Sequence, residues 1–301
     1  MSRFEALDIG LVVAAHGRHV MVETPEGQRV LCHPRGKKSD LVVGDRVRWL
    51  PTADEGVIEQ TEPRRNLMFR QDEWRTKSFA ANLDQVLVLV SGEPMFSESQ
   101  LARALIAAQQ ADIPVLIGMN KTDLPSAARA RERLTPYARM GVAMVELALR
   151  TRPDESRAVL APWLEGRTTL VLGPSGVGKS TLINLVVPQA AAQVGEISQA
   201  LAAGRHTTTS TLWYWLDASR RAALIDSPGF QEFGLRQIAA DQLAVLMPDI
   251  GAQLGHCRFY NCTHRSEPGC GVRDGVERGD IASTRYRLYL DFYEELSEKR
   301  W

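Results

Sequence analysis

The chain has 301 residues, of which 44% are hydrophobic and 24% are charged. Its 36 basic residues balance its 36 acidic residues, so it lacks the net positive charge of a general nucleic-acid binder. No apolar run is long enough to predict a membrane span, and the N-terminal residues show no secretory signal. The length favours several domains, and the sequence predicts a cytoplasmic, monomeric protein without membrane contacts.

Residues 1–66 predict a small β-barrel. Short segments rich in β-branched residues alternate here with turn signals. These segments are Ile9–Ala15, Arg18–Thr24, Gln28–Cys32, Arg46–Leu50 and Gly56–Gln60. Such a series is typical of an all-β OB-type barrel. An SH3-like barrel would leave much the same pattern, and we favour the OB type.

The barrel region also contains a basic segment, residues 29–48. It holds six basic residues against two acidic ones, and the basic residues are Arg29, Arg35, Lys37, Lys38, Arg46 and Arg48. A basic groove on an OB surface suits RNA, but a solvated loop would have the same composition. The isolated Cys32 lies in a predicted strand, where a small core residue is expected.

Residues 61–80 are polar and basic, which predicts a linker. Beyond them, apolar runs alternate with helical segments such as Ser99–Ala111. The runs are Gln85–Ser91, Ile113–Met119, Thr168–Leu172 and Ala222–Ile225. Continuous apolar runs are typical of parallel strands buried on both faces. The alternation predicts a doubly wound α/β domain over residues 67–240, with ligands bound beyond the carboxyl ends of its strands.

A phosphate-binding loop follows the third of these runs. The stretch Gly173-Pro174-Ser175-Gly176-Val177-Gly178-Lys179-Ser180 matches GxxxxGK[ST], and a helical segment, Thr181–Val187, comes next. Such a loop surrounds phosphates with backbone N–H groups and the helix N-terminus. We expect Lys179 to contact the β- and γ-phosphates and the Ser180 hydroxyl to hold Mg²⁺. Thr181 completes the predicted phosphate site.

Two further motifs identify the nucleotide as GTP. Asp226-Ser227-Pro228-Gly229 has the DxxG form, in which Asp226 supports Mg²⁺ and the Gly229 N–H contacts the γ-phosphate. Asn120-Lys121-Thr122-Asp123 is a guanine motif. The Asp123 carboxylate can accept two hydrogen bonds from guanine, whereas adenine would leave this carboxylate unpaired. Asn120 is expected to order the loop and Lys121 to pack along the base.

The order of these motifs is unusual, because the guanine motif precedes the phosphate loop. Joining the termini of a domain and opening the chain elsewhere preserves every strand neighbour. The sequence therefore predicts a circularly permuted P-loop GTPase.

A cluster of cysteine and histidine marks the C-terminal region, residues 241–301. Cys257, Cys262, His264 and Cys270 supply three thiolates and one imidazole, a complete set for structural Zn²⁺. A disulfide with a spare cysteine is the alternative, which a cytosolic chain disfavours. Tyr286, Tyr289, Tyr293 and Leu296 repeat at helical spacing and predict a packed helix in a zinc-binding helical domain.

Together, these motifs carry a family resemblance. The permuted order, Gly204-Arg205-His206-Thr207-Thr208-Thr209, Asp226-Ser227-Pro228-Gly229-Phe230 and the cysteine cluster resemble the bacterial ribosome small-subunit-dependent GTPase A (RsgA) family. The resemblance covers essentially the whole chain. It implies a GTPase that binds rRNA and protein of the small ribosomal subunit late in assembly. The subunit would stimulate hydrolysis of GTP to GDP, and the GTPase would promote maturation and release of assembly factors.

The resemblance also assigns further site residues. Thr208, with Thr207 next, would sense Mg²⁺ and the γ-phosphate. Phe230 stands where many GTPases carry a water-orienting glutamine, so His206 becomes the candidate for positioning the water. The alternative is that His206 only orders the switch. His206, Lys179 and Thr208 are thus our candidate catalytic residues.

The loop that supports the guanine base departs from the family's usual Ser-Ala. The nearest stretch is Glu146-Leu147-Ala148-Leu149, in which leucine replaces the expected serine and Ala148 offers a backbone N–H. Two other functions compete with the GTPase interpretation. Phe230 favours a GTP-sensing ribosome-binding module with negligible hydrolysis. A P-loop kinase is disfavoured, because it has no use for the guanine motif.

Overall fold

The computed structural model describes residues 7–16, 19–36, 40–52, 55–71, 76–187, 190, 211–227, 235 and 237–298. Within these ranges, no helix combines the length and apolar character needed to cross a bilayer.

The N-terminal strands form a closed barrel. They are β1 (Asp8–His16), β2 (His19–Glu23), β3 (Arg29–Pro34), β4 (Arg46–Pro51) and β5 (Gly56–Thr61). The hydrogen-bonded order is β1-β2-β3-β5-β4, and a β1–β4 pairing closes the ring. The pairing of β3 with β5 is parallel, whereas the other pairings are antiparallel. This closed Greek-key order confirms the OB-type barrel over the SH3-like alternative.

The barrel interior is filled by alternate side chains of its strands. Val12, Val22, Cys32, Val47 and Trp49 are among its buried residues. The prediction that Cys32 is a small core residue is confirmed, because its side chain is fully buried. Burial raises the pKa of the Cys32 thiol to about 12, so the thiol stays protonated and unreactive.

The predicted linker at residues 61–80 is wrong. Residues Leu67–Gln71 (β6) and Thr76–Ala81 (β7) form an antiparallel hairpin. Met68, Phe79 and Ala80 are buried in the main core. Strand β7 buries three consecutive residues, Phe79, Ala80 and Ala81, and the pairing with β6 is irregular between Met68 and Phe69. The hairpin therefore lacks the period-two alternation by which a strand is recognised in a sequence.

The central domain is built on a mostly parallel sheet. Its strands are β8 (Gln85–Ser91), β9 (Val115–Asn120), β10 (Ala143–Glu146), β11 (Thr168–Leu172), β12 (Leu212–Trp215) and β13 (Ala223–Asp226). Its helices are α1 (Glu98–Gln110), α2 (Ala127–Arg139), α3 (Pro153–Leu164) and α4 (Lys179–Val186). The strand order is β10-β9-β8-β11-β13-β12, and β12 alone among these runs antiparallel.

This order places a topological switch point between β8 and β11. From β8 the chain proceeds outward through β9 to β10, and after β11 it continues on the other side of the sheet. Ligands of such sheets bind beyond the carboxyl ends of strands flanking this point. The phosphate loop follows β11 directly, and the guanine motif begins at the end of β9.

The barrel and the central sheet are continuous. Ala14 of β1 pairs with Leu212 of β12 in antiparallel fashion, which joins both sheets into one of 11 strands. A direct backbone contact thus connects the barrel to the strand that follows the predicted first switch.

The C-terminal region is helical and packs on the central domain. It contains the short α5 (Pro248–Gly251), α6 (Gly271–Arg278) and α7 (Ser283–Ser297). Buried residues such as Tyr289 and Phe292 share a core with Ala102 and Ile106 of α1. Arg103 of α1 forms a bidentate ion pair with Glu295 and lies 4.5 Å above the Phe292 ring. The prediction that the tyrosine stripe packs is confirmed.

Candidate GTP and metal sites

The phosphate loop connects β11 to α4 through glycines in conformations that other residues rarely adopt. Gly176 has φ 77° and Gly178, the residue before α4, has φ 111°. A Cβ atom on Gly178 would lie 2.4 Å from the Asn120 Nδ2 atom. Ser175, Gly176, Ser180 and Thr181 are exposed. The loop therefore presents its backbone and the start of α4 to solvent, as phosphate binding requires.

Lys179 is held inside this loop by the loop's own carbonyl groups. Its Nζ donates to the Gly173 carbonyl at 2.6 Å and to the Pro174 carbonyl at 3.3 Å. Burial lowers the pKa of Lys179, and the charge of Asp226 opposes this shift. An anionic ligand beside the ammonium would favour its charged form.

Asp226 ends β13 next to the phosphate loop. It pairs in register with Val171, which lies near the end of β11. Burial raises the pKa of the Asp226 carboxyl, and Lys179 counteracts this effect. A partly desolvated carboxylate close to a lysine and a phosphate loop is well placed for a divalent cation. Gly229 of the same motif lies outside the described residues.

Asn120 connects three loops. Its Nδ2 donates to the Val177 carbonyl at 2.8 Å, and its Oδ1 accepts from the Leu149 N–H at 3.1 Å. Asn120, Val177 and Leu149 are all buried. One side chain thus fixes the guanine motif against both the phosphate loop and the loop after β10.

The rest of the guanine motif turns sharply after β9. Lys121 has φ 62°, and its Nζ donates to the Glu93 carbonyl at 2.6 Å. The Thr122 N–H and hydroxyl both donate to the Leu147 carbonyl, at 3.1 and 3.0 Å. Asp123 is exposed, so its carboxylate is accessible to a base.

Ala148, the predicted guanine-supporting residue, is buried, and its N–H donates to the Ser156 hydroxyl at 3.0 Å. Ser156 lies on α3 and is itself buried. Sequence reasoning missed this residue, because an isolated serine within a helix gives no motif signal. Ser156 thus holds the backbone of the loop after β10 in place.

The remaining predicted site residues lie outside the part of the chain that the structure describes. They are His206, Thr207, Thr208 and Phe230.

The predicted metal ligands meet at one point. One ligand atom from each of Cys257, Cys262, His264 and Cys270 lies within 4.8 Å of the others. None of these cysteines forms a disulfide. Burial lowers the pKa of His264, which favours the neutral imidazole that binds metals, although Glu267 opposes the shift. The three-sulfur, one-nitrogen set fits a closed tetrahedral zinc site.

The loop carrying these ligands is ordered by the Glu267 carboxylate. It accepts hydrogen bonds from the Thr263 N–H and hydroxyl, at 2.7 and 2.6 Å, and from the N–H groups of Arg265 and Ser266, at 3.0 and 3.1 Å. Although burial disfavours its charge, these bonds hold the pKa of Glu267 at about 2. A four-bond carboxylate is a rigid anchor for the ligand loop.

Helix α7 holds the same loop in place through hydrogen bonds from two tyrosine hydroxyls. The Tyr286 hydroxyl donates to the His264 carbonyl at 2.7 Å, and the Tyr289 hydroxyl donates to the Thr263 carbonyl at 3.0 Å. The tyrosines predicted for packing thus also position the loop that carries the predicted metal ligands. Sequence reasoning missed this role and that of Glu267, because none of these three residues belongs to the metal-ligand pattern.

Comparison with known proteins agrees with this arrangement. The sequence model of the RsgA GTPase family matches residues 61–236. A protein of Variovorax paradoxus (strain S110), named small ribosomal subunit biogenesis GTPase RsgA, is 59% identical over 97% of this chain and 93% of its own length.

Solved structures show the same fold. YjeQ from Thermotoga maritima superposes with a TM-score of 0.75 and 30% identity, covering 97% of this chain and 99% of that one. YloQ, described as a circularly permuted GTPase, gives a TM-score of 0.70 at 24% identity, covering 100% and 99%. These likenesses confirm the predicted permuted fold. Since the family model matches over half of the sequence and the relative matches nearly all of it, the chain belongs to the RsgA GTPase family.

Proposed function

We propose that this GTPase hydrolyses GTP to GDP and phosphate during late assembly of the small ribosomal subunit. The Asn120 side chain carries the nucleotide part of the proposal, because it ties the guanine motif to the phosphate loop across the strand ends. The ribosomal part is supported by the name of the Variovorax relative, small ribosomal subunit biogenesis GTPase RsgA.

The phosphate half of the site consists of residues 173–181. Backbone N–H groups of the loop would surround the β-phosphate, while Lys179 would exchange its loop carbonyls for phosphate oxygens. Ser180 and Asp226, with Thr208, would hold Mg²⁺, which supplies positive charge to the phosphate oxygens. The Gly229 N–H would contact the γ-phosphate.

The guanine half selects the base. Asp123 would accept hydrogen bonds from the guanine N1–H and amino group, and the Lys121 stem would lie along the base. Ala148 would have to exchange its bond to Ser156 for one to the base, so its role depends on a rearrangement of that loop.

Water activation is assigned to His206, with Thr207 and Thr208 sensing the γ-phosphate. The support is the family resemblance and Phe230, which cannot orient water as glutamine does. His206→Ala should abolish subunit-stimulated turnover while leaving GDP affinity unchanged. Stimulated turnover equal to wild type would contradict the catalytic role and leave His206 as a residue that only orders the switch.

The metal site is proposed to hold one structural Zn²⁺ on Cys257, Cys262, His264 and Cys270. Four protein ligands leave no position open for hydrolytic chemistry. Metal analysis of the purified chain should find one zinc per chain. The zinc region and the barrel would contact ribosomal RNA and protein, and we expect a monomer acting in the cytoplasm.

The test of the whole proposal is phosphate release measured with purified small subunits, large subunits and bare rRNA. Stimulation by small subunits alone is expected. GTP binding without any stimulated hydrolysis would instead support the second function, a GTP-sensing ribosome-binding module, which Phe230 favours.

A further inference from the structure

A cavity of about 670 Å³ opens between the barrel and the central sheet. Thr168, the first residue of β11, and Asp84, just before β8, belong to its lining. The phosphate loop begins at the opposite end of β11. This cavity is therefore distinct from the GTP site.

Both domains contribute to the cavity. The barrel supplies Ile9, Leu11 and Arg46. The central domain supplies Trp213 and Trp215 of β12 and Arg221, which lies between β12 and β13. Strands β1 and β12, which supply four of these residues, are the two that join the sheets. Cavities of roughly 300–1,000 Å³ at domain boundaries are typical ligand sites.

The acidic residues of the lining are already neutralised. Glu23 accepts hydrogen bonds from Trp215 Nε1 at 2.6 Å and from Arg29 Nε at 3.0 Å. Asp84 accepts from Arg65 Nη2 at 2.9 Å and from the Thr168 N–H at 2.8 Å. Both carboxylates are therefore already paired within the protein, and neither leaves an unpaired negative charge in the cavity.

The basic residues are in excess. The lining holds four arginines and two carboxylates. Arg46 and Arg221 are exposed and form no ion pair with another described residue, although Arg221 Nε donates to the Ser219 hydroxyl at 3.2 Å and its charge acts on Asp217. An anion entering the cavity would meet these two guanidinium groups, which bind phosphate well.

Flat apolar surface lies beside this charge. Trp215 is half-buried, and Ile9 is 43% exposed although it belongs to a strand. Trp213 packs edge-on against Trp215, with ring centroids 5.1 Å apart, which fixes the indole. A planar heterocycle can lie against such a surface, whereas an acidic peptide offers only its carboxylates to the arginines.

We propose that this cavity binds one nucleotide unit, with its phosphate on Arg46 and Arg221 and its base against Ile9 and Trp215. The unit is either a free mononucleotide or one nucleotide of a single-stranded RNA, since both present the same chemistry. Binding would bridge the barrel and the central sheet, and it does not depend on the guanine motif.

The test uses the full-length protein saturated with GDP and Mg²⁺, so that the GTP site is occupied. AMP, ribose 5-phosphate and a single-stranded hexaadenylate RNA are titrated separately, with tryptophan fluorescence as the readout. AMP lacks the donor pair that the guanine motif reads. We expect AMP or the RNA to bind at least about tenfold more tightly than ribose 5-phosphate, because only they carry a base.

The double variant Arg46→Glu/Arg221→Glu should weaken binding by about tenfold or more. Arg129→Glu is the matched control, because Arg129 is exposed on α2, away from the cavity. GDP affinity and melting temperature should stay unchanged in both proteins. Should the double variant fail to fold, the comparison of AMP with ribose 5-phosphate on the wild-type protein still decides whether a base is recognised.

Binding of AMP identifies a free nucleotide as a ligand, and binding of RNA alone identifies a strand. The proposal is overturned if neither AMP nor the RNA binds, or if ribose 5-phosphate binds as tightly as both. It is also overturned if Arg129→Glu weakens binding as much as the double variant does. Displacement by an oligoglutamate peptide with equal affinity would likewise overturn it in favour of an acidic peptide. The outcome is separable from that of the proposed GTPase function, because GDP occupancy is measured independently.

Discussion

Replacing Asn120 with alanine tests the connection between the guanine motif and the phosphate loop. The change leaves the Val177 carbonyl and the Leu149 N–H buried without the partner that each now has. A buried group left unsatisfied costs about 1–3 kcal/mol, so the two together cost about 2–6 kcal/mol. Part of this cost appears as lower folding stability and part as weaker nucleotide binding, because the three loops can separate both in the nucleotide-free and in the nucleotide-bound protein.

At about 1.4 kcal/mol per tenfold change in affinity, we expect GDP binding by Asn120→Ala to weaken by about tenfold or more. The melting temperature should fall as well. Binding is measured with a fluorescent GDP analogue, and unfolding is followed with and without GDP. Asn184→Ala is the control, because Asn184 is exposed on α4. GDP affinity and melting temperature both equal to the control would refute the reasoning.

Three further substitutions probe other contacts. Gly178→Ala should abolish measurable GDP binding, because the new Cβ would lie 2.4 Å from Asn120 Nδ2 and the backbone φ of 111° is unfavourable for alanine. Titration calorimetry, at concentrations that detect GDP binding by the wild-type protein, checks this. Arg103→Ala should destabilise the docking of the C-terminal helices by about 1–2 kcal/mol, since it removes the ion pair with Glu295, and limited proteolysis should cut that region sooner. Glu267→Gln should release zinc to a chelator faster than wild type, because a neutral amide accepts the loop's hydrogen bonds more weakly; an unchanged release rate would contradict its anchoring role.

The sequence predicted the barrel strands closely, because each has its own β-rich run and turn signal. What it could not decide was the closure of the barrel, since the parallel pairing of β3 with β5 joins segments that are separated in the chain. The hairpin at Leu67–Ala81 was missed for a different reason, because its buried residues do not alternate along the strands.

At the site, local motifs were sufficient to predict the residues that face a ligand. The supporting residues were harder to find. Ser156 and Glu267 act on backbone N–H groups of neighbouring loops, and such contacts depend on tertiary geometry rather than on a sequence pattern. Asn120 was predicted to order a loop, but its link to the Val177 carbonyl became visible only in the structure.

The pairing of Ala14 with Leu212 also has a consequence for how the protein is made. All barrel strands lie between Asp8 and Thr61, so the barrel can close while most of the chain is still being synthesised. Its contact with the central sheet must wait until β12 has left the ribosome, and loop closure over so long a segment is slow. Newly made barrels therefore pass through a period in which the docking edge of β1 is unpaired. In that period, β1 of one copy can pair with β12 of another copy. The unpaired edge of β1 therefore favours domain-swapped assembly.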